Sequence, residues 1–378
     1  MYCAPVMAPV AAPLLGVSPA AVGYFVTTAY LGSMIGTATA GGWVERFGPI
    51  RVSQAGMLLC GCGLAIAASG TLPGVLVGAL LVGLGYGPAT PASSVILART
   101  APPGMLSLTF SIKQTGVPLG TAIAGATVPL LVLALGWQWA ALAVGAVCAL
   151  FGLAITPLRD AYDSGRNRSA PVSLHSALAP VLLVLREPNI MPLAATSFVY
   201  GGVQITLVAY LVAFLTESFA LSLVLAGIVM AASQLASVAG RVLWGILADR
   251  VLSRRATLGM LGVGMGITAF LGLGAGPHWP LWALFAFAVA LGATAVGWNG
   301  VFLAELTRLA PPGRIGDVTG GSSFFTFLGV VVTPSLFHFA LGLTSSYGAT
   351  YALFGILPLA VGVALLLNAR IDRNERRS

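Results

Sequence analysis

Residues 41–51 read Gly-Gly-Trp-Val-Glu-Arg-Phe-Gly-Pro-Ile-Arg, and residues 245–250 read Gly-Ile-Leu-Ala-Asp-Arg. Both stretches contain the pattern Gly-x-x-x-acid-Arg, and their first glycines are 204 positions apart. Each stretch follows a long apolar segment, at the point where the chain leaves that segment. A charged turn that recurs in this way predicts a duplicated architecture, in which two similar halves follow one another along the chain.

The composition around these turns excludes a soluble protein. The chain has 378 residues, of which 58% are hydrophobic and 7% are charged, against about 25% charged residues in a typical soluble domain. It therefore lacks the polar surface of a soluble enzyme, the low hydrophobicity of a disordered chain and the basic face of a nucleic-acid-binding protein. We expect lipid to surround most of the chain.

The apolar segments are long enough to cross a membrane as helices. A hydrocarbon core of about 30 Å needs about 20 helical residues, whereas a β-barrel would show short alternating segments. A stub at residues 1–16 would form only about 24 Å of helix, and it contains prolines but no charged signal-peptide region. We count it as a shortened first span whose beginning is missing, which gives an all-α membrane protein with twelve spans. The other eleven spans are predicted near residues 19–44, 53–70, 73–98, 107–135, 138–157, 190–215, 221–247, 256–275, 280–305, 317–341 and 349–368.

The arginines between these spans lie on one side. The connections after odd-numbered spans contain neither Lys nor Arg. Because basic connections stay in the cytoplasm, this asymmetry predicts a multi-pass protein of the cytoplasmic (inner) membrane with both termini in the cytoplasm. The arginines that follow even-numbered spans are Arg46, Arg51, Arg99, Arg159, Arg166, Arg168, Arg186, Arg250, Arg254, Arg255, Arg308, Arg314, Arg370, Arg373, Arg376 and Arg377.

One long polar stretch divides the predicted spans into six and six. It predicts an N-terminal six-helix bundle at residues 1–158, a cytoplasmic central loop at 159–188, and a C-terminal six-helix bundle with a short tail at 189–378. Residues 173–186 within the loop are predicted to form a short helix on the membrane surface, although Pro180 argues against it.

Six plus six helices, a cytoplasmic central loop and the motif that ends at Gly48 resemble the major facilitator superfamily of secondary transporters. This resemblance implies alternating access, in which the two halves rock and expose a central site for a small solute to each side in turn. Two features depart from the family pattern. Pro49 and Ile50 replace basic residues, and Ala79 stands where many members carry an arginine.

The resemblance also implies a gating role for the repeated turns. Glu45 would contact the start of span 11 near residues 317–321, and Asp249 would contact the start of span 5 near Ser107. A carboxylate is favoured there because unpaired N–H groups and the helix dipole attract negative charge. In the alternative interpretation, the charges of these turns only set the topology.

Other residues of the two turns would support those contacts. Arg46 and Arg250 would hold the two carboxylates in place, while Gly41 and Gly245 would permit close approach of the backbone. The remaining members of the predicted gating motif are Gly48, Arg51 and Arg254.

Lys113 is the lysine that the sequence places inside a span, about 9 Å from the start of span 5. A buried ammonium costs several kcal/mol unless it reaches water or a partner, so Lys113 and neighbouring Gln114 are predicted to bind an anion. Alternatively, Lys113 extends to the cytoplasmic interface. Arg241 in span 8 either faces the cavity or pairs with Asp249.

Hydroxyl, amide and indole groups inside other spans also need hydrogen-bond partners. As a set they are predicted to line the solute cavity, although each alone is more often a packing or interface residue. These candidates are Tyr24, Tyr30, Tyr200, Gln204, Gln234, Trp298 and Asn299.

Small residues form two further patterns. One pattern is Gly32, Gly36 and Ala40 in span 2, and the other is Gly116, Gly120 and Ala124 in span 5; both recur at intervals of four and predict tight helix packing. Span 5 resembles the Gly/Pro-rich span of drug antiporters, but it lacks their Gly-Pro pair.

The sequence predicts neither a metal site nor a cofactor, because its four cysteines and three histidines are scattered. It shows no convergent set of catalytic groups, so we expect a transporter and not an enzyme. The predicted partners are a small solute and the lipid bilayer, without nucleic acid, and we expect a monomer.

The predicted solute is a small anionic or zwitterionic metabolite, moved by active or facilitative transport. A drug or metabolite efflux antiporter is the alternative within transporters, and a non-transporting solute sensor is the alternative from another class. No titratable acid is predicted near the middle of a span. Either transport is facilitative or driven by exchange of substrate, or the acid lies in the missing start of span 1.

Overall fold

The computed structural model describes residues 3–17, 22–170, 178–276 and 279–375, and these residues form helices without any strand. Sixteen α-helices follow one another within these described residues. They are α1 (Cys3–Leu14), α2 (Val22–Phe47), α3 (Pro49–Ala67), α4 (Leu72–Tyr86), α5 (Ala89–Thr100), α6 (Leu106–Leu135), α7 (Trp137–Ala154), α8 (Arg159–Tyr162), α9 (Ala179–Arg186), α10 (Met191–Phe219), α11 (Leu223–Arg250), α12 (Arg254–Leu271), α13 (Leu281–Ala295), α14 (Asn299–Leu309), α15 (Ile315–Thr344) and α16 (Tyr347–Glu375).

Each of the eleven full-length spans predicted from the sequence coincides with a helix or with a pair of helices. Within the described residues, nine segments are long and apolar enough to cross a membrane, or up to ten if α9 and α10 count together. Neither α1, which is short, nor α2, which carries many Gly, Thr and Tyr residues, is among the nine. The all-α membrane architecture is thus confirmed, and the count of twelve spans stays a prediction.

Two predicted spans are interrupted by a break in the helix. Span 4 divides into α4 and α5 at Gly87 and Pro88, and span 10 divides into α13 and α14 at residues 296–298. Pro88 lacks the backbone N–H that an uninterrupted helix would use, which accounts for the first break. A Cβ atom on Gly87 would contact the backbone of Ser33 and Thr37, so the break also brings α2 close.

The chain contains two compact units. The first unit comprises Met1–Thr100, Val117–Met191 and Leu309–Phe327. In this unit α4 packs against both α2 and α3, and glycines allow the backbones to approach. A Cβ atom on Gly36 would lie 2.6 Å from the carbonyl oxygen of Leu84, and one on Gly32 would overlap the carbonyl of Leu80. The small-residue face predicted in span 2 is therefore a packing surface.

The second unit comprises Ala101–Gly116, Pro192–Arg308 and Leu328–Ser378. Here α12 packs along α16, with Leu258, Leu261 and Met265 of α12 fully buried. Since each unit contains segments from both sides of the central loop, the predicted division into residues 1–158, 159–188 and 189–378 stays a prediction.

The third member of the face predicted in span 5, Ala124, packs against the buried core of the first unit. No atom of the described residues lies within 4 Å of a Cβ atom built on Gly116 or Gly120 of α6. The interval of four puts these glycines on one face of the helix, but spacing alone does not say whether another helix covers that face. Residues 173–177 of the predicted surface helix lie outside the described residues, and the helix α9 occupies the rest of that segment.

Candidate functional site

The charged turn of the second unit holds the beginning of α6. The carboxylate of Asp249, at the end of α11, accepts hydrogen bonds from the backbone N–H groups of Ser107 (3.0 Å) and Leu108 (2.8 Å). These groups belong to the first turn of α6, where no partner exists within the helix. Arg254 completes the arrangement, because it pairs with Asp249 at 3.3 Å and donates to the Ser107 hydroxyl at 2.8 Å.

Two glycines bring α6 into backbone contact with its neighbours in this unit. A Cβ atom on Gly245 of α11 would lie 2.7 Å from Ser111 Oγ and 3.0 Å from the Cα of Leu108. A Cβ atom on Gly300 of α14 would overlap the backbone of Ser111. The first two turns of α6 are therefore in close contact with both α11 and α14.

The corresponding turn of the first unit is built differently. Glu45 accepts its hydrogen bond from the Asn167 side chain (3.3 Å), and its backbone carbonyl accepts from the Asn167 N–H (2.9 Å). The first turn of α15 carries its own carboxylate, Asp317, which pairs with Arg314 at 2.8 Å. Like charges repel, so this helix start offers Glu45 less attraction than the start of α6 offers Asp249. A Cβ atom on Gly41 would overlap the Asp317 side chain, so close approach occurs at this glycine.

The arginines next to the two carboxylates do not make the predicted pairs. Arg46 donates to the carbonyl of Ala170 at 3.4 Å and lies over the ring of Phe47. The ion pair to Asp249 comes from Arg254 and not from Arg250. Neighbouring residues on a helix point in different directions, so an arginine directly after a carboxylate is poorly placed to hold it.

The central loop caps α3, which the sequence reasoning missed. Buried Asp163 accepts hydrogen bonds from the N–H groups of Ile50 (2.8 Å) and Arg51 (3.2 Å) and pairs with the Arg51 guanidinium at 3.2 Å. Gly48 has φ = 94° and no side chain that could cap the helix. A helix that begins Gly-Pro without a capping side chain needs an acceptor from elsewhere, and this signal was available in the sequence.

Two cations of the second unit converge on one glutamine. Lys113 Nζ donates to the side-chain oxygen of Gln114 at 2.9 Å, and Arg241 Nη1 donates to the backbone carbonyl of Gln114. Arg241 is 2% exposed and also donates from Nε to the carbonyl of Val296 at 3.0 Å. This carbonyl lies at the break between α13 and α14, so the hydrogen bonds of Arg241 connect the break to α6.

The side chain of Gln204 binds two polar groups that lie at the end of this break. Its side-chain oxygen accepts hydrogen bonds from Trp298 Nε1 (2.9 Å) and Asn299 Nδ2 (3.1 Å). The ring of Tyr200 packs edge-on against Trp298, and its hydroxyl donates to the carbonyl of Leu258 at 3.0 Å. Tyr200 and Trp298 are fully buried, so both form part of the packing between helices.

The other predicted cavity residues are dispersed. Gln234 lies two helical turns before Arg241 on α11, and its side-chain oxygen is buried without a hydrogen-bond partner among the described residues. In the first unit, the ring of Tyr30 packs 5.8 Å from that of Phe327. Tyr24 is 73% exposed and lines an apolar pocket beside α1. Hydrogen bonds thus join Lys113, Gln114 and Arg241 in one group of the second unit, and Gln204, Trp298 and Asn299 in another.

Among the described residues, no three His, Cys, Asp or Glu side chains converge into a group that could hold a metal ion. His278, one of the three histidines, lies outside the described residues.

Comparison with known proteins identifies the family of this chain. The sequence model of the Major Facilitator Superfamily matches residues 1–334. An uncharacterized MFS-type transporter of Mycobacterium tuberculosis is 26% identical over 303 residues, which is 79% of this chain and 66% of the relative. A probable sulfoacetate transporter of Cupriavidus necator is 26% identical, with 85% of this chain and 79% of the relative covered. A 4-hydroxybenzoate transporter of Acinetobacter baylyi is 30% identical over 46% of this chain and 39% of the relative.

The fold is also found among solved structures. The human organic anion transporter MFSD10 superposes with a TM-score of 0.73 at 17% identity, and the match covers 96% of this chain and 89% of that one. The chain spans slightly less than two thirds of the length of the mycobacterial relative. The helices, the repeated turn and these matches lead to one conclusion: the chain belongs to the major facilitator superfamily, whose members are multi-pass membrane transporters.

Proposed function

We propose that this chain carries a small organic anion across the cytoplasmic membrane by alternating access. The observation that supports it is the convergence of Lys113 and Arg241 on Gln114 in the second unit. An ionisable side chain inside a membrane span is by default a candidate for the pathway of a charged solute.

The hydrogen-bond partner of Lys113 favours an anionic solute. The Lys113 ammonium donates to a neutral oxygen, that of the Gln114 side-chain amide. A carboxylate or sulfonate would form a stronger, charge-assisted hydrogen bond with the Lys113 ammonium than the Gln114 amide does. The amide side chain of Gln114 can turn aside when such an anion arrives, whereas its backbone carbonyl stays with Arg241.

The chemistry of two relatives supports the same class of solute. The names of the Cupriavidus and Acinetobacter proteins give sulfoacetate and 4-hydroxybenzoate as their solutes. Both solutes are small organic acids that are anionic at neutral pH. We infer that this chain carries a solute of that kind, with a carboxylate or sulfonate at Lys113.

The gate in this proposal is the contact between Asp249 and the start of α6. Ser107 and Lys113 lie on the same helix, less than two turns apart. Release of the Asp249 carboxylate would therefore free the end of the helix that carries the anion-binding lysine. The solute at Lys113 and the gate at Ser107 would both act on the beginning of α6. Binding of the solute could therefore shift the equilibrium of the gate.

A binding screen followed by a transport assay tests the proposal. The purified protein is screened by thermal shift against small organic acids, including 4-hydroxybenzoate and sulfoacetate, and against neutral sugars and polyols of similar size. The solute that stabilises it is then assayed in proteoliposomes. We expect an acid to raise the Tm and to show saturable uptake with counterflow. Saturable transport of a neutral solute, with no stabilisation by any acid, would overturn the anion assignment.

A further inference from the structure

The helix α9 in the central loop is apolar on two faces. One face packs onto the first unit, because Pro180, Val181 and Val184 are buried. This face contacts the beginning of α15, since a Cβ atom on Gly321 would lie 2.9 Å from Val184 Cγ2 and would overlap the carbonyl of Pro180. Protein atoms of the same unit therefore cover this side of α9.

The other face of α9 carries a stripe of exposed leucines. Leu178, Leu182 and Leu185 are 60%, 45% and 49% exposed. Their spacing of four and three residues places them in one line along the helix. A surface helix in water normally shows charged or polar residues on its outer face, and a helix that is apolar all round needs apolar surroundings on every side. Only Arg186, at the end of the helix, is charged.

The position of α9 along the chain indicates what surrounds it. Only residues 187–190 separate its last residue from α10, which is a membrane span. The span that precedes the loop, α7, exposes Leu150, Phe151 and Leu153, which form part of the lipid-facing surface of the first unit. The loop thus leaves the membrane after α7 and re-enters it at α10, so the leucine stripe lies where lipid is available.

We propose that the leucine stripe of α9 inserts into the boundary between the headgroups and acyl chains of the cytoplasmic leaflet. Leu178, Leu182 and Leu185 contact the acyl chains, and Arg186 contacts lipid phosphates at the headgroup level. This is the usual arrangement of a helix that lies in the plane of the interface. Because the opposite face holds the start of α15, the lipid also fixes that helix end relative to the membrane surface. The inference does not depend on which solute is transported.

Site-directed fluorescence tests this proposal on the full chain. The four cysteines are replaced, and single cysteines are introduced as L182C and L185C on the stripe and D160C in the exposed part of the loop as the matched control. Each variant is labelled with an environment-sensitive fluorophore, checked for a single monodisperse peak, and reconstituted in vesicles. Quenching is then measured with lipids brominated in the upper acyl chain and with aqueous iodide.

We expect opposite patterns of quenching on the leucine stripe and at the control position. Labels at residues 182 and 185 should lose about half of their emission to brominated lipid and little to iodide, because an interfacial helix lies about 5–10 Å into the boundary. The label at residue 160 should respond to iodide only. Equal iodide quenching at all three positions would overturn the proposal. It would also be overturned if neither quencher reached residues 182 and 185, because a second copy or another protein segment would then cover the stripe.

Discussion

The carboxylate of Asp249 reaches the backbone N–H of Ser107 across 142 positions of sequence, at 3.0 Å. This relationship gives the repeated turn of the second unit a role that the turn of the first unit does not share. Glu45 occupies the equivalent position of the repeat, but its partner is the Asn167 side chain in the central loop. The two turns have the same sequence pattern and different contacts, and this difference can be measured.

The substitution Asp249→Asn should reduce transport about tenfold or more while leaving the protein folded. It removes the charge that pairs with the partly exposed Arg254 and one of two acceptors for the start of α6, and the loss of a hydrogen bond to a charged group costs about 1.5–3 kcal/mol. The measurement is counterflow in proteoliposomes, with size-exclusion chromatography as the check on folding. Glu45→Gln is the matched control, and we expect a smaller effect because its hydrogen bond is exposed. Equal losses in both variants would contradict a gate centred on Asp249.

Gly300→Ala should lower the Tm and impair transport. The added methyl group would overlap the backbone of Ser111, and a backbone cannot turn aside as a flexible side chain can. Gly116→Ala is the matched control on α6, because nothing lies within 4 Å of a Cβ atom there. Alanine favours a helix over glycine by about 1 kcal/mol, so this control should melt at the same temperature or slightly higher. A Tm for Gly300→Ala at or above the wild-type value would show that the contact is loose.

Lys113→Gln should weaken binding of an anionic solute about tenfold or more and leave any binding of a neutral analogue unchanged, because it removes the charge and not the hydrogen-bond donor. Lys113→Arg, which keeps the charge, should retain most of the affinity. Affinities are measured by calorimetry or thermal shift with one acid and its amide. Equal weakening for the acid and the amide would mean that Lys113 extends to the interface and has no part in recognition.

Gln204→Ala should destabilise the protein through the break between α13 and α14. It leaves the donors Trp298 Nε1 and Asn299 Nδ2 without their shared acceptor, and an unsatisfied buried donor costs about 1–3 kcal/mol. The measurement is thermal unfolding followed by tryptophan fluorescence. Gln204→Glu keeps an acceptor and should lie closer to the wild type in Tm. A solute affinity that falls tenfold at an unchanged Tm would instead assign Gln204 to the binding site.

Asp163→Asn should loosen the central loop, whereas Asp160→Asn should not. Asp163 is buried, caps α3 and pairs with Arg51, while Asp160 is exposed and three positions away. Limited proteolysis is the direct measurement, and we expect faster cleavage of the loop in the Asp163 variant alone. Identical cleavage rates in the two variants would show that the cap does not hold the loop.

The sequence was informative where the type of a single residue determines the local structure or the contact that it makes. Continuous apolar runs predicted the helices, and Pro88 marks one of the two breaks. The resemblance to the major facilitator superfamily implied a contact of Asp249 near Ser107, and the attraction between a carboxylate and a helix start explains why it forms. Lys113 was singled out because an ammonium is costly in lipid.

The sequence was less informative where a contact depends on which surfaces meet. The partner of Glu45 is Asn167, more than a hundred positions away in a loop of ordinary polar composition. Arg254 replaces Arg250 as the partner of Asp249 because the helix turns by about 100° for each residue, so that the direction of a side chain outweighs its nearness along the chain. Gly116 and Gly120 have the spacing of a packing face, but no atom of the described residues lies within 4 Å of a Cβ atom built on either.

The glutamine between the two cations has a consequence for affinity. The carbamoyl oxygen of Gln114 accepts one of the three hydrogen bonds that the Lys113 ammonium can donate, so an anion that takes the same N–H has to displace it. The Gln114 side chain therefore competes with the anion for the Lys113 ammonium, and it is always present because it belongs to the chain itself. In the proposed transport of an anion, such a competitor lowers the affinity for the solute and favours its release when the amide returns to Lys113.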